Sequence, residues 1–133
     1  MNEKAKVLII DDEEGVLAMY KTKLELEGLQ VLTALDGQIG LDITKKEKPD
    51  IILLDIIMPK LNGLDVLKIL KEDKETQGIP VFLLTNLPRE AGGPKGTELG
   101  ATGYLVKAEY EPSALAKMIL GVIAKNGQQK ISQ

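Results

Sequence analysis

The chain has 133 residues, 44% of them hydrophobic and 28% charged, and a formal net charge of -3. That length suits one domain whose core needs no metal or disulfide staple. With no Cys and no His, disulfides, thiol chemistry and the usual zinc ligands are excluded, and a net charge of -3 without a Lys/Arg cluster argues against direct nucleic-acid binding. Hard, oxygen-binding cations remain possible.

No apolar leader opens the chain and no apolar run approaches membrane-spanning length, so a cytoplasmic protein without a membrane anchor is expected. The first element is a short apolar strand from Lys6 to Ile10, and it stops on Asp11-Asp12. Helix-start chemistry accounts for one of these acids more easily than for both. Val16, Met19/Tyr20 and Leu24 recur at helical spacing over Glu14 to Glu27, and Gly28 suits the position just past a helix end. Leu29 to Ala34 reads as a second strand, and Asp36 as the cap of a helix through Lys46 with Ile39 and Ile43 facing inward.

The third strand is the most apolar stretch. Ile51 to Leu54 lack any period-two alternation, which suits a strand covered on both faces, and the run ends on Asp55. An ionised carboxylate is costly beside that much hydrocarbon unless something compensates it. Asn62-Gly63 is a turn signal with a cap for a helix striped by Leu64, Leu67 and Leu70. Val81 to Leu84 form a fourth strand ending on Thr85-Asn86; on its own such a Thr more often bonds nearby backbone. Gly92, Gly93, Pro94 and Gly96 oppose helix continuation, so a short or late-starting helix around Lys95 to Leu99 is expected. Thr102 to Val106 supply a fifth strand that ends in Lys107. Pro112 opens a last helix carrying Leu115, Met118, Ile119, Val122 and Ile123, with a polar, frayed end from Gly127 to Gln133.

Strands alternating with helices imply a parallel sheet with helices on both faces, and right-handed crossovers place every strand's C-terminal end on one rim. That rim collects Asp11, Asp12, Asp55, Thr85 and Lys107. Three carboxylates within a few ångströms repel by roughly 4 kcal/mol per close pair at an effective dielectric near 20. One Lys leaves the cluster short of neutrality, and an all-oxygen site points to Mg2+ as the missing charge. A carboxylate beside such an ion can act as nucleophile toward phosphorus, with Lys107 and the Thr85 hydroxyl offsetting charge on the phosphoryl oxygens.

From Lys4 to about Lys125 the sequence resembles the receiver domain of the two-component response-regulator family. The resemblance rests on Asp11-Asp12 after Val-Leu-Ile-Ile, Asp55 in Leu-Leu-Asp-Ile-Ile-Met-Pro, Asn62-Gly63, Thr85 in Phe-Leu-Leu-Thr-Asn and Lys107 in Gly-Tyr-Leu-Val-Lys. It implies a flavodoxin-like doubly wound sheet in strand order 2-1-3-4-5. It also implies that Asp55 accepts a phosphoryl group and that Mg2+ is held by Asp11, Asp12, Asp55 and the backbone carbonyl of Ile57. Thr85 and Lys107 would grip the phosphoryl, and Tyr104 occupies the family's aromatic switch position; a half-buried edge aromatic is the plainer reading of Tyr104.

Three positions depart from the family pattern. Ala108 stands where a Pro usually follows the Lys, Asn86 is large for its place after Thr85, and the glycine-rich span falls on the fourth helix, part of the family's output face. Ile57 and Leu87 flank the acceptor site and cannot orient a water, so slow loss of the phosphoryl is expected. The expected protein is a stand-alone receiver, phosphorylated by a sensor histidine kinase or a histidine phosphotransfer domain. It would signal through an unidentified output protein, as a monomer or a weak phosphorylation-dependent dimer. An excised receiver of a larger regulator, or a phosphorylation-independent scaffold of the same fold, is the alternative. An enzyme acting on a separate substrate is not expected, since an Asp-nucleophile phosphatase would want an acid where Ile57 stands. A flavin site would want more aromatic surface than three Tyr and one Phe.

Overall fold

The computed structural model describes residues 4–131, with side chains through Asn126. Its five strands are β1 (Lys6–Ile10), β2 (Gln30–Ala34), β3 (Ile51–Leu54), β4 (Val81–Thr85) and β5 (Gly103–Val106). All neighbouring pairs are parallel, in the order β2-β1-β3-β4-β5. The connecting helices are α1 (Glu14–Leu26), α2 (Gly37–Glu47), α3 (Gly63–Glu72), α4 (Arg89–Glu98) and α5 (Pro112–Ile131), and a 3-10 turn spans Lys107–Glu109. This is the flavodoxin-like doubly wound arrangement expected from the sequence.

The unbroken apolar runs take their place because both faces of β1, β3 and β4 are covered. Val7, Ile9, Ile51 and Leu53 point into one core with α1 and α5. Leu8, Ile10, Ile52 and Leu54, the alternate residues, point into a second core with α2 and α3. Burying each such side chain is worth roughly 1.5–3 kcal/mol, so a one-residue slip of β1 or β3 would exchange the two cores at large cost. Register is therefore firmly fixed, and it aligns the strand ends. Ile10 pairs with Leu54, which sets Asp11 beside Asp55. Thr85 pairs with Val106, which places Lys107 one residue past it.

Local chemistry closes the helices as the sequence suggests. Asp36 caps α2, its Oδ1 accepting the Ile39 N–H at 2.8 Å. Asn62 and Asp65 form a reciprocal capping box at the start of α3. Gly28 takes φ +94° after α1, and the Leu29 N–H bonds the Leu24 carbonyl. The buried line of α1 runs through Leu17, Tyr20 and Leu24, leaving Met19 exposed.

Three expectations are corrected. The fourth helix does not start late at Lys95; it runs from Arg89 to Glu98 with Pro94 inside. Propensity loses to packing here: Gly92 and Gly96, four residues apart, bring the helix backbone against Ile56, Tyr104 and Leu83. Its C-terminus is secured by Gly100 at φ +101° and by the Ala101 N–H bonding the Gly96 carbonyl at 2.9 Å. Second, Ile39 faces outward and is 43% exposed. Gly40 lies against Ile10 instead, where a Cβ would stand 2.4 Å from Ile10 Cδ1, and that close approach turns Ile39 to solvent. Third, the backbone of α5 continues to Ile131, past the expected fraying point at Gly127; Ser132 and Gln133 lie outside the described residues. No cis peptide bond occurs among the described residues, so the chain passes from Lys107 to Ala108 in trans.

Candidate functional site

At the C-terminal rim of the sheet an open cavity of about 610 Å3 is lined by Asp12, Asp55, Thr85, Asn86 and Lys107, with Ile57 and Leu87 at its edge. Asp11 follows β1 and is held by main-chain bonds on both sides. Its own N–H donates to the Ala34 carbonyl at 3.0 Å, and its Oδ1 accepts the Glu13 N–H at 2.9 Å. Asp55 is anchored in the same way: its N–H donates to the Ile10 carbonyl at 3.0 Å, and its Oδ1 accepts the Ile57 N–H at 3.3 Å. One oxygen from each of Asp11, Asp12 and Asp55 lies within 4.8 Å of the others, Asp11 and Asp55 buried and Asp12 open to solvent.

Lys107 reaches into this cluster from the end of β5. Its Nζ donates to Asp11 Oδ2 at 2.5 Å and to Asp55 Oδ2 at 3.1 Å. Burial raises the Asp11 pKa above the ordinary 3.8, more than the Lys107 hydrogen bond and the Glu13 N–H lower it. Burial also opposes the charge on Lys107, but its bonds to Asp11 and Asp55 and their charges outweigh that and raise its pKa. The ammonium thus partly neutralises a site that would otherwise be crowded with like charge. The donor set fits a hard divalent cation: all oxygen, convergent, and open on the Asp12 side.

Thr85 lines the cavity as expected, and its Oγ1 accepts the Leu87 N–H at 3.3 Å, which leaves the hydroxyl proton free to donate. Ile57 sits on the rim, 60% exposed. Of the predicted site residues, Asp11 lies buried behind the cavity wall, bonded to Lys107, and Tyr104 stays outside the cavity. Its ring lies beneath the start of α4, and its hydroxyl donates to the Leu87 carbonyl at 2.7 Å. Sequence reasoning missed three participants. Glu13 lines the cavity beside Asp12, a place that the run of four consecutive acids from Asp11 to Glu14 could have signalled. Tyr20 is buried on α1 close enough to feel the charges of Lys107 and Asp11, yet reads in sequence as one more apolar position. Arg89 ties the start of α4 to the turn after β5, bonding Glu109 at 3.0 Å and the Tyr104 carbonyl at 3.4 Å; nothing in its local sequence announces that pairing.

Comparison with known proteins agrees with this geometry. Residues 7–120 match the response regulator receiver domain. The chain is 36% identical over 132 residues to a probable transcriptional regulator, ycf27, of Guillardia theta, covering 99% of this chain and 50% of that protein. It is 39% identical over 117 residues to the alkaline phosphatase synthesis transcriptional regulatory protein PhoP of Bacillus subtilis, covering 86% of this chain and 48% of the relative. The chain therefore spans about half the length of these regulators. Protein PilH of Pseudomonas aeruginosa is matched over 98% of its own length and 90% of this chain, at 39% identity. Among solved structures, the Vibrio cholerae chemotaxis protein CheY4 superposes with a TM-score of 0.83 at 32% identity, covering 90% of this chain and 99% of CheY4. With the receiver match running through every strand and the acidic rim in place, the chain belongs to the response regulator receiver domain family.

Proposed function

We propose that this receiver is a phosphorylation switch in which Asp55 accepts a phosphoryl group from a phosphohistidine, carried by a sensor histidine kinase or a histidine phosphotransfer domain. The observation that supports it is the convergence on Asp55 of Asp11, Asp12 and the Lys107 ammonium, with Asp12, Asp55 and Lys107 lining an open cavity. In the transfer an Asp55 oxygen attacks phosphorus, the phosphorus–nitrogen bond breaks, and its electron pair returns to the donor imidazole. The product is an acyl phosphate on Asp55. Asp11, Asp12, Asp55 and the Ile57 carbonyl would hold Mg2+, which when bound supplies positive charge against the phosphoryl oxygens. Lys107 can follow the new charge by exchanging its 3.1 Å contact with the Asp55 carboxylate for a phosphoryl oxygen. Thr85 has its hydroxyl proton to offer to another. In this reading the chain turns over no separate substrate, and its output passes to a protein partner.

The test is uptake from acetyl phosphate with Mg2+, read by intact-protein mass. Wild type should gain one phosphoryl group and Asp55→Asn none; a wild type that stays unmodified with both acetyl phosphate and a phosphohistidine donor overturns the reading. The same preparation measures lifetime. The rim residue Ile57 offers no group to orient an attacking water, and neither does Leu87. Decay after donor removal is expected to be slow, and Ile57→Asn with Leu87→Glu is expected to quicken it several-fold. Ile57→Asn alone is the cleaner variant because Leu87 also packs on the core.

A further inference from the structure

The Tyr104 ring lies inward, and its hydroxyl arrives at a point of α4 that carries no side chain, Gly92. A Cβ at Gly92 would stand 2.8 Å from Tyr104 Oη, 2.8 Å from Ile56 Cδ1 and 3.0 Å from Leu87 Cδ2. These neighbours are not equally able to yield. Ile56 is buried in the second core directly after Asp55, and Leu87 packs on the same core. Tyr104, like Leu87, is only partly buried against that core, but it sits on the edge strand, where its ring has a path toward solvent. The hydroxyl at stake makes the 2.7 Å bond to the Leu87 carbonyl and lies 3.3 Å from the Pro88 carbonyl. Both carbonyls belong to the loop that leaves Thr85. Arg89 fixes the same end of α4 from outside, through Glu109 and the Tyr104 carbonyl, so Gly92 is held in register above the ring.

We propose that Gly92 is the positioning residue for Tyr104: the missing side chain is the seat that holds the ring inward and, through its bond to the Leu87 carbonyl, the position of the loop after Thr85. The consequence for phosphorylation depends on the switch reading above; the seat itself does not. A merely structural role for the glycine predicts something different. Gly96 sits one turn further along the same face, where a Cβ would stand 2.5 Å from Leu83 Cδ1 and would not meet Tyr104. Gly93 faces open space, with nothing within 4 Å of an added Cβ.

The experiment incorporates 3-fluorotyrosine and follows fluorine NMR of the full chain. Tyr20, Tyr104 and Tyr110 are the three tyrosines, and Tyr104→Phe assigns the resonance of interest. In Gly92→Ala that resonance should move to the position of a solvent-exposed fluorotyrosine, while those of Tyr20 and Tyr110 stay in place. Gly93→Ala and Gly96→Ala should leave it unmoved. An unshifted Tyr104 in Gly92→Ala, or an equal shift in Gly96→Ala, overturns the proposal. Should Gly92→Ala fail to fold, Gly92→Ala with Tyr104→Ala decides: regained folding supports the seat, and continued failure removes it. Acetyl phosphate labelling in parallel separates the two ideas, because a displaced Tyr104 in a protein that never takes up phosphoryl defeats the switch reading and leaves the seat standing.

Discussion

Gly63→Ala is expected to destabilise the protein by about 3 kcal/mol or more and to spoil phosphoryl uptake with it. Gly63 is the first residue of α3, and a Cβ there would stand 2.1 Å from the Asp55 carbonyl oxygen, 2.7 Å from Ile56 Cα and 2.8 Å from the Asp55 carbonyl carbon. All three are backbone atoms at the end of a strand buried on both faces, so no rotamer change relieves the clash. The Gly63 N–H also donates to the Ile56 carbonyl at 2.8 Å, which shows how closely the helix start rests on the chain just after Asp55. Intrinsic propensity has the opposite sign, since Ala is better than Gly inside a helix by about 0.8–1 kcal/mol. Gly121, within α5 and facing open space, supplies the control, and Gly121→Ala should gain part of that amount. Urea unfolding of the two variants checks the contrast, and equal midpoints would contradict the account of α3 as the support of Asp55.

The same comparison explains what the sequence could and could not disclose. Strands were legible because Val7–Ile10, Ile51–Leu54 and Val81–Leu84 are unbroken apolar runs, and the site was legible because each run ends on a group that hydrocarbon cannot hold uncompensated. Caps at Asp36 and Asn62 are set by residues three apart, a range within reach of pattern reading. The fourth helix was not. Its glycines read as breakers by propensity, and only the positions of Ile56, Leu83 and Tyr104, all outside the helix in sequence, turn them into points of close approach. Ile39 failed for a related reason, since Gly40 rather than Ile39 meets Ile10 across the chain. The place of Lys107 was legible in outline, since its charge had to be set against the carboxylate cluster, and the structure resolves that into bonds to Asp11 and Asp55.

That resting arrangement carries the second large expectation. Lys107→Met should cost roughly 3–5 kcal/mol at neutral pH in the absence of a divalent cation, the usual result of removing one member of a buried ion pair. The Lys107, Asp11 and Asp55 side chains are 10%, 3% and 7% exposed, so water screens them little. The pH dependence follows from the two shifts. In wild type the raised pKa of Lys107 contributes stability that is present below its ordinary value of 10.5 and is lost as pH climbs through the raised value. For Asp11 the folded pKa is also raised, so the folded state holds a proton longer than the unfolded chain, and stability falls as pH rises from 3.8 through the folded value. Removing Lys107 takes away contributions that lower the Asp11 pKa and leaves burial unopposed by them. The window of falling stability then widens upward. The deficit of Lys107→Met relative to wild type should therefore shrink on acidification, as Asp11 becomes protonated in the folded state. Millimolar Mg2+ at neutral pH should shrink it too, because a cation among the three carboxylates replaces the lost ammonium. Denaturation midpoints of both proteins, with and without Mg2+ at neutral and mildly acidic pH, would show this directly, and a deficit indifferent to both acid and Mg2+ would mean that Lys107 contributes packing rather than charge.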